Sequence, residues 1–319
     1  MTWFLIRCAR ALLTLLILVA FTFFTLAVSG DPAVSKFGED IDAATLEAFR
    51  QKWGLNYPLW KQFLIYLDGI WRLDFGMSFR TGRPAWDLVV SRLPATLSLM
   101  VPTILVSVAL GVPLGVFAAT NRGRIGDRLT IIMAVVALAV PSFLLGLLIM
   151  FIFSVKLGWL PPSGIVDWRS YLMPSATMAI ATAAVYARFT RSATVEVLSH
   201  PMIETAEASG LMRRMILRVH ALPNVALPLI TISALEFGNI ITYAVVTESV
   251  FSWPGVGRLL IEGVANRDYA VVQAVILLTG VTMILANLLA DVAYGVVDPR
   301  IRDVRQPARR KSRTKGASA

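Results

Sequence analysis

The stretch Glu204-Thr205-Ala206-Glu207-Ala208-Ser209-Gly210, followed by Leu222-Pro223, holds the residues of this 319-residue chain best spaced to engage another protein. Pro201 suits the first helical position, where a missing N–H costs nothing. Glu204 then falls in the first turn, where the helix dipole favours a carboxylate, and Gly210 supplies the positive φ that ends such a helix. Met212, Ile216 and Val219 are spaced as one apolar stripe of a second helix, with Arg213, Arg214 and Arg218 facing elsewhere. Pro223 and Pro228 are expected to separate that helix from the next long apolar segment. A short helix, a glycine break and a basic amphipathic helix make either a docking knob or a loop lying on lipid.

A second constellation is Glu236, Asn239 and Tyr243, spaced at i, i+3 and i+7 and so on one face of a helix. Because the surrounding residues are apolar, these three either line a polar pathway or are hydrogen-bonded packing residues. Asn287 and Asp291, four apart, are spaced for a hydrogen bond to each other or to a neighbouring helix. Glu248 precedes Phe251-Ser252-Trp253-Pro254-Gly255 and reads as a turn cap or as a contact with a partner. Pro102, Pro113 and Pro141 interrupt apolar runs and free backbone carbonyls, which makes them bend points for gating or packing kinks. Metal chemistry has little material, with one cysteine (Cys8) and two histidines (His200 and His220). The chain contains no Gly-Lys dipeptide, so it holds no phosphate loop of the Walker A type.

The elements that carry these residues are membrane helices. Hydrophobic residues make up 56% of the chain, charged residues 16%, and the mean hydropathy is +0.69; soluble domains carry about 25% charged residues. A helix needs about 20 apolar residues to cross the hydrocarbon core. Six segments qualify, 11–30, 93–121, 129–155, 170–187, 219–247 and 269–297, and none of the 30 Lys/Arg lies inside their cores. Within these segments the acids are Glu236 and Asp291. The first is longer than a signal-peptide core and follows Arg7 and Arg10, so it is expected to stay as an anchor.

Short-loop arginines set the orientation. Arg122, Arg124 and Arg128 lie between spans two and three, and Arg188, Arg191, Arg213, Arg214 and Arg218 between spans four and five, which places these loops and both termini in the cytoplasm. The net charge of +10 is concentrated in the tail 298–319, with eight Lys/Arg against two Asp; this marks a cytoplasmic tail beside anionic lipid and not a nucleic-acid surface. The expected organisation is an N-terminal transmembrane helix (1–30), an external region with amphipathic helices (31–95), a five-helix core (96–297) containing the cytoplasmic loop 199–224, and the basic tail. In the external region Asp42 is placed to cap a helix bearing Leu46, Phe49 and Trp53, with Gly54 ending it. Pro58 is placed to open a second helix bearing Leu59, Phe63, Tyr66 and Ile70. With Trp60 and Trp71 nearby, the pair reads as a cap over an external gate or as packing on the bilayer surface.

Read as E-x-A, three residues, G, eleven residues, L-P, the 204–223 pattern resembles the loop by which ABC-importer permeases engage their ATPase subunits. Thr205 stands where the motif usually has a second Ala, and His220 where an aliphatic residue is commoner. Further patches, Gly30-Asp31-Pro32, Leu73-Asp74-Phe75-Gly76-Met77-Ser78, Arg92-Leu93-Pro94-Ala95-Thr96-Leu97, Ala139-Val140-Pro141-Ser142-Phe143, Thr247-Glu248-Ser249-Val250-Phe251-Ser252-Trp253-Pro254-Gly255, Arg267-Asp268-Tyr269, Asn287-Leu288-Leu289-Ala290-Asp291 and Asp298-Pro299-Arg300-Ile301-Arg302, are similar to the dipeptide/oligopeptide/nickel group of binding-protein-dependent permeases, in family order. The resemblance implies an all-α, type I importer permease in the bacterial inner membrane, the first of two such subunits, carrying no catalytic residues and no cofactor of its own. It further implies a second homologous permease, two ATP-binding subunits that hold ATP and Mg, and an external substrate-binding protein. Glu204, Ala206, Gly210, Leu222 and Pro223 would then be the coupling residues. Related permeases often carry an amide where this chain has Glu236. The competing readings are a self-contained channel or secondary transporter, for which no internal repeat is found, and a membrane scaffold or receptor.

Overall fold

The computed structural model describes residues 2–28, 30 and 42–297, without the side chains of 2–8, 227, 231, 234, 237, 239–241 and 290–297. The expected segment 31–41, the basic tail, and the Asn239 and Asp291 side chains therefore lie outside the described residues. Among the described residues the secondary structure is helical apart from one bridge between Met77 and Pro84. The helices are α1 (Thr2–Val28), α2 (Ala43–Lys52), α3 (Leu59–Trp71), α4 (Ala85–Thr120), α5 (Ile125–Ala139), α6 (Ser142–Met150), α7 (Leu172–Leu198), α8 (Pro201–Ala208), α9 (Arg213–Met215), α10 (Leu222–Val250), α11 (Val256–Ala265) and α12 (Tyr269–Val297). In an apolar solvent every backbone polar group needs an internal partner, which is why helices carry the whole fold.

The centre is the pairing of α4 with α7, flanked by α5 and α10. Small residues make the approach close. A Cβ on Gly111 would stand 2.6 Å from the Ala183 carbonyl oxygen, and one on Gly115 would stand 2.5 Å from Thr190 Cβ, so neither position admits a side chain without moving the helices apart. Ala179, Ala183, Ala184 and Ala187 of α7 are buried at this seam, as membrane helix contacts favour. The buried hydroxyls of Ser107, Thr177 and Thr182 donate to carbonyls four residues back on their own helices, at 2.7–3.0 Å, and Ser107 Oγ also lies 3.4 Å from the Ala179 carbonyl of α7 across the seam.

Among the described residues, three helices are long and apolar enough to cross a membrane: Ala9–Val28, Ala85–Thr120 and Tyr269–Leu289. A fourth would be the pair Ile125–Ala139 and Ser142–Lys156, bent by 96°. The run 129–155, expected as one span, is thus broken. Val140 precedes Pro141, is pushed to extended backbone (φ −81°, ψ 122°), and cannot continue α5. Pro94, Pro102 and Pro113 act differently: α4 runs unbroken through all three. It also starts ten residues before the expected 95/96 boundary, which falls inside it. The remaining expected spans correspond to α7 and α10, of 27 and 29 residues, each about 40 Å long at 1.5 Å per residue.

The amphipathic pair α2 and α3 gathers at the N-terminal end of α4. Asp42 caps α2, accepting from Thr45 N–H, and Gly54 follows the helix with φ +66°. Part of each helix packs on protein, whereas Leu59, Leu64 and Ile65 of α3 are exposed. Phe49 and Trp53 meet Phe79 at ring distances of 5.7 and 4.9 Å. Phe63 and Tyr66 meet Phe23 of α1 in a cluster shared with α4, α11 and α12. Trp60 and Trp71 are left facing outward.

Candidate functional site

The 199–223 loop forms at the opposite, C-terminal end of α4, which Arg213 reaches by donating to the Thr120 carbonyl at 3.2 Å. His200 caps α8, its Nδ1 accepting from Met202 N–H at 3.3 Å, and Pro201 opens the helix. Eight residues at 100° each put Ile203 and Ala206 inward and leave Glu204 and Glu207 outward. Gly210, at φ +77° with open space where a Cβ would stand, reverses the chain. The returning segment of the knob is pinned by Ile216, which packs on Ile203 and Ala206 with Leu198 and Leu211 at the edge.

The structure corrects two details of this loop. Met212, Ile216 and Val219 do not form a common buried stripe: Ile216 is 1% exposed, but Met212 and Val219 are 76% and 56% exposed. Residues Ile216–Ala221 form a π-helix, whose wider turn rotates successive side chains off the 3.6-residue register. Pro223 and Pro228 also fail to separate the segment from the following span. The π-turn leads directly into α10, with Pro223 in its first turn, where no N–H is needed, and Pro228 inside it. Leu222 and Pro223 are consequently the exposed start of α10, contiguous with the knob.

Glu236 is buried on α10, and Tyr243, seven residues on, packs with Met100 of α4, Met178 of α7 and Ala244. The Tyr186 hydroxyl lies 3.0 Å from Ser233 Oγ, one helical turn before Glu236 on α10. Tyr186 has no signature in one-dimensional spacing, since it belongs to α7. The acid thus sits in the contact of α4, α7 and α10, the centre of the helix assembly.

Glu248 is fully buried and therefore closed to partners. Its Oε1 accepts from Thr96 Oγ1 at 2.6 Å and its Oε2 from Arg258 N–H at 3.0 Å, with Gly257 N–H a further donor. Thr96 in turn accepts from Val256 N–H at 2.8 Å, and Trp253 Nε1 donates to the Ala95 carbonyl at 2.8 Å. A carboxylate at the N-terminus of α11 is also favoured by its dipole. Two separate patches of the sequence, 92–97 and 247–255, are the two halves of this knot.

Residues 111–303 match the family described as "Binding-protein-dependent transport system inner membrane component", and residues 1–100 match its N-terminal family. The chain belongs to this family. Among curated permeases, it is 42% identical over 279 residues to the "Glutathione transport system permease protein GsiC" of Escherichia coli strain K12, covering 88% of this chain and 91% of that protein. The protein of the same name from Shigella dysenteriae serotype 1 matches equally. Among solved structures, inward-facing conformations of the MetNI methionine ABC transporter align with TM-score 0.55 at 18% identity, over 66% of this chain and 96% of that one. An amino acid ABC transporter aligns with TM-score 0.54 at 17% identity, over 65% and 93%. The permease is therefore an inner-membrane transport subunit of an ATP-driven importer, of the peptide/nickel group, with the helical architecture of ABC importer permeases.

Proposed function

We propose that this permease forms half of a translocation pathway with a second homologous permease, driven by two ATP-binding subunits and supplied by an external binding protein. The cargo is a small peptide or a related small solute; the relatives named for glutathione, itself a tripeptide, support that class. In this reading there are six spans, with both termini and 188–224 cytoplasmic and 42–84 external. The arginine distribution supports this orientation, as does the separation of the α2/α3 cap and the α8 knob to opposite ends of α4.

The observation that carries the reading is α8 itself. Its outward Glu204 and Glu207 stand over inward Ile203 and Ala206, and Gly210 turns the chain so that Ile216 locks the unit. A knob held this firmly on its inner face passes a push to α7 and α10, which enter and leave it, without deforming first. The Pro141 break is the bend that rocking would use; Pro102 and Pro113 then serve as curvature within a continuous helix. Glu236, with Tyr243 and Asn239 on the same helical face, is assigned to the pathway, its acid facing a cationic part of the cargo. ATP and Mg stay in the partner subunits.

Purification through a tag on this chain tests the reading. Co-elution of an ATPase subunit, lost on Gly210→Val, is the expected result. A chain that elutes alone and still moves solute would instead be a self-contained channel or secondary transporter.

A further inference from the structure

An acid held among arginines sits where α4 turns into α5. Asp127, in the first turn of α5, is 3% exposed. Arg191 of α7 donates Nε to its Oδ1 at 2.5 Å and Nη2 to its Oδ2 at 2.9 Å, and Gly123 N–H donates to Oδ2 at 2.9 Å. A two-pronged guanidinium–carboxylate contact fixes angle as well as distance. The same turn of α7 lies against the α4 backbone, because a Cβ on Gly115 would stand 3.0 Å from Arg191 N. A second tie leaves the end of α4, where Thr120 O accepts from Arg213. Arg213 is three residues past Gly210 and three before Ile216, the residue clamped on α8. The α4–α5 turn is thus bound on one side to the helix that enters the knob and on the other to the segment that leaves it.

We propose that Asp127 and Arg191 are positioning residues for energy coupling. The pair makes the ends of α4, α5 and α7 one stiff platform, so that a displacement of α8 moves the spans and is not absorbed in the turn at 121–124. That turn is soft by itself: residues 122–124 are exposed and Gly123 holds φ +79° with open space around it. The proposal rests on the coupling reading above and adds to it residues outside the 199–223 loop.

The test uses the whole importer, purified through this chain and placed in nanodiscs, with its external binding protein as the probe. ATPase co-elution measures docking, and the stimulation of ATP hydrolysis by added binding protein measures a signal that must cross the spans. Asp127→Asn and Arg191→Gln are expected to keep docking while stimulation falls about fivefold or more, the usual scale of site-to-site coupling. The double variant is expected to be no worse than either single one, because the two residues act as a unit. Arg191→Lys keeps the charge and loses the fork, and should fall between; it carries the test if a neutral variant fails to accumulate. Wild-type stimulation in an accumulating variant with its ATPase bound overturns the proposal. Docking lost in step with stimulation also overturns it, since the pair would then merely hold the fold or the dock. Gly210→Val in the same assay reports separately on the coupling reading: wild-type docking and stimulation there reject that reading, whereas failure of the Asp127–Arg191 proposal alone leaves Gly210→Val defective.

Discussion

Replacing Gly210 by valine tests the coupling knob at the point where its cost can be worked from structure. A Cβ at Gly210 meets nothing within 4 Å, so no clash contributes and the whole penalty is backbone. At φ +77° an L residue pays about 1–2 kcal/mol, and a β-branched one lies toward the upper figure. When α8 is undocked the turn can relax toward negative φ, loosening Leu211 and the Ile216 contact with Ile203 and Ala206. Docking must then restore the turn, so the strain emerges as lost affinity, about 5- to 30-fold. The spans have no stake in this turn and membrane abundance should stay normal. Titrating the purified ATPase subunit onto the permease in nanodiscs measures it directly. Gly210→Asn, which tolerates the left-handed region far better, should bind close to wild type. Wild-type ATPase affinity in Gly210→Val would refute the assignment of the turn to docking, as would equal losses for valine and asparagine.

The remaining predictions address topology, pathway and stability. In a Cys8-free chain, Trp71→Cys should react with an impermeant thiol reagent in intact cells and Ser209→Cys should not; the reverse pattern inverts the orientation. Glu236→Gln keeps size and hydrogen-bonding capacity and removes the ionisable group, so uptake of a lysine-bearing dipeptide should fall more than uptake of a neutral one. Equal ratios for the two probes would exclude Glu236 as a charge-selective element. Glu248→Ala strands the Thr96 hydroxyl and the Arg258 and Gly257 N–H groups, at about 1–3 kcal/mol for each buried orphan. Thermal unfolding in detergent should drop accordingly, with Glu248→Gln milder, and an unchanged midpoint for Glu248→Ala would refute the buried-knot account.

The sequence by itself determined what local physics and solvent determine. Six charge-poor segments, the cap at Asp42, the helix-opening Pro201, the left-handed Gly54 and Gly210 and the first-turn Glu204 depend on neighbours within a few residues, and they are legible in one dimension. The order of the motif patches carried the family for the same reason. Tertiary structure decided what depends on partners far along the chain. Whether a proline breaks a helix is one example: Pro141 does, beside an extended Val140, whereas α4 passes unbroken through Pro102 and Pro113. The stripe Met212–Ile216–Val219 failed because Met212 is the extended residue before α9 and a π-turn from Ile216 changed the register that would place Val219, and a period cannot be read from spacing once the helix type has changed. Glu248 is divided between cap and contact until Thr96, 152 residues away in sequence, is brought to 2.6 Å. Asp127 is, in one dimension, a single acid in a basic loop; only the close approach of α4 to α7 at Gly115 sets it against Arg191. Local propensity writes the helices, but burial in the assembled bundle decides which polar groups meet and therefore which of them can transmit a force.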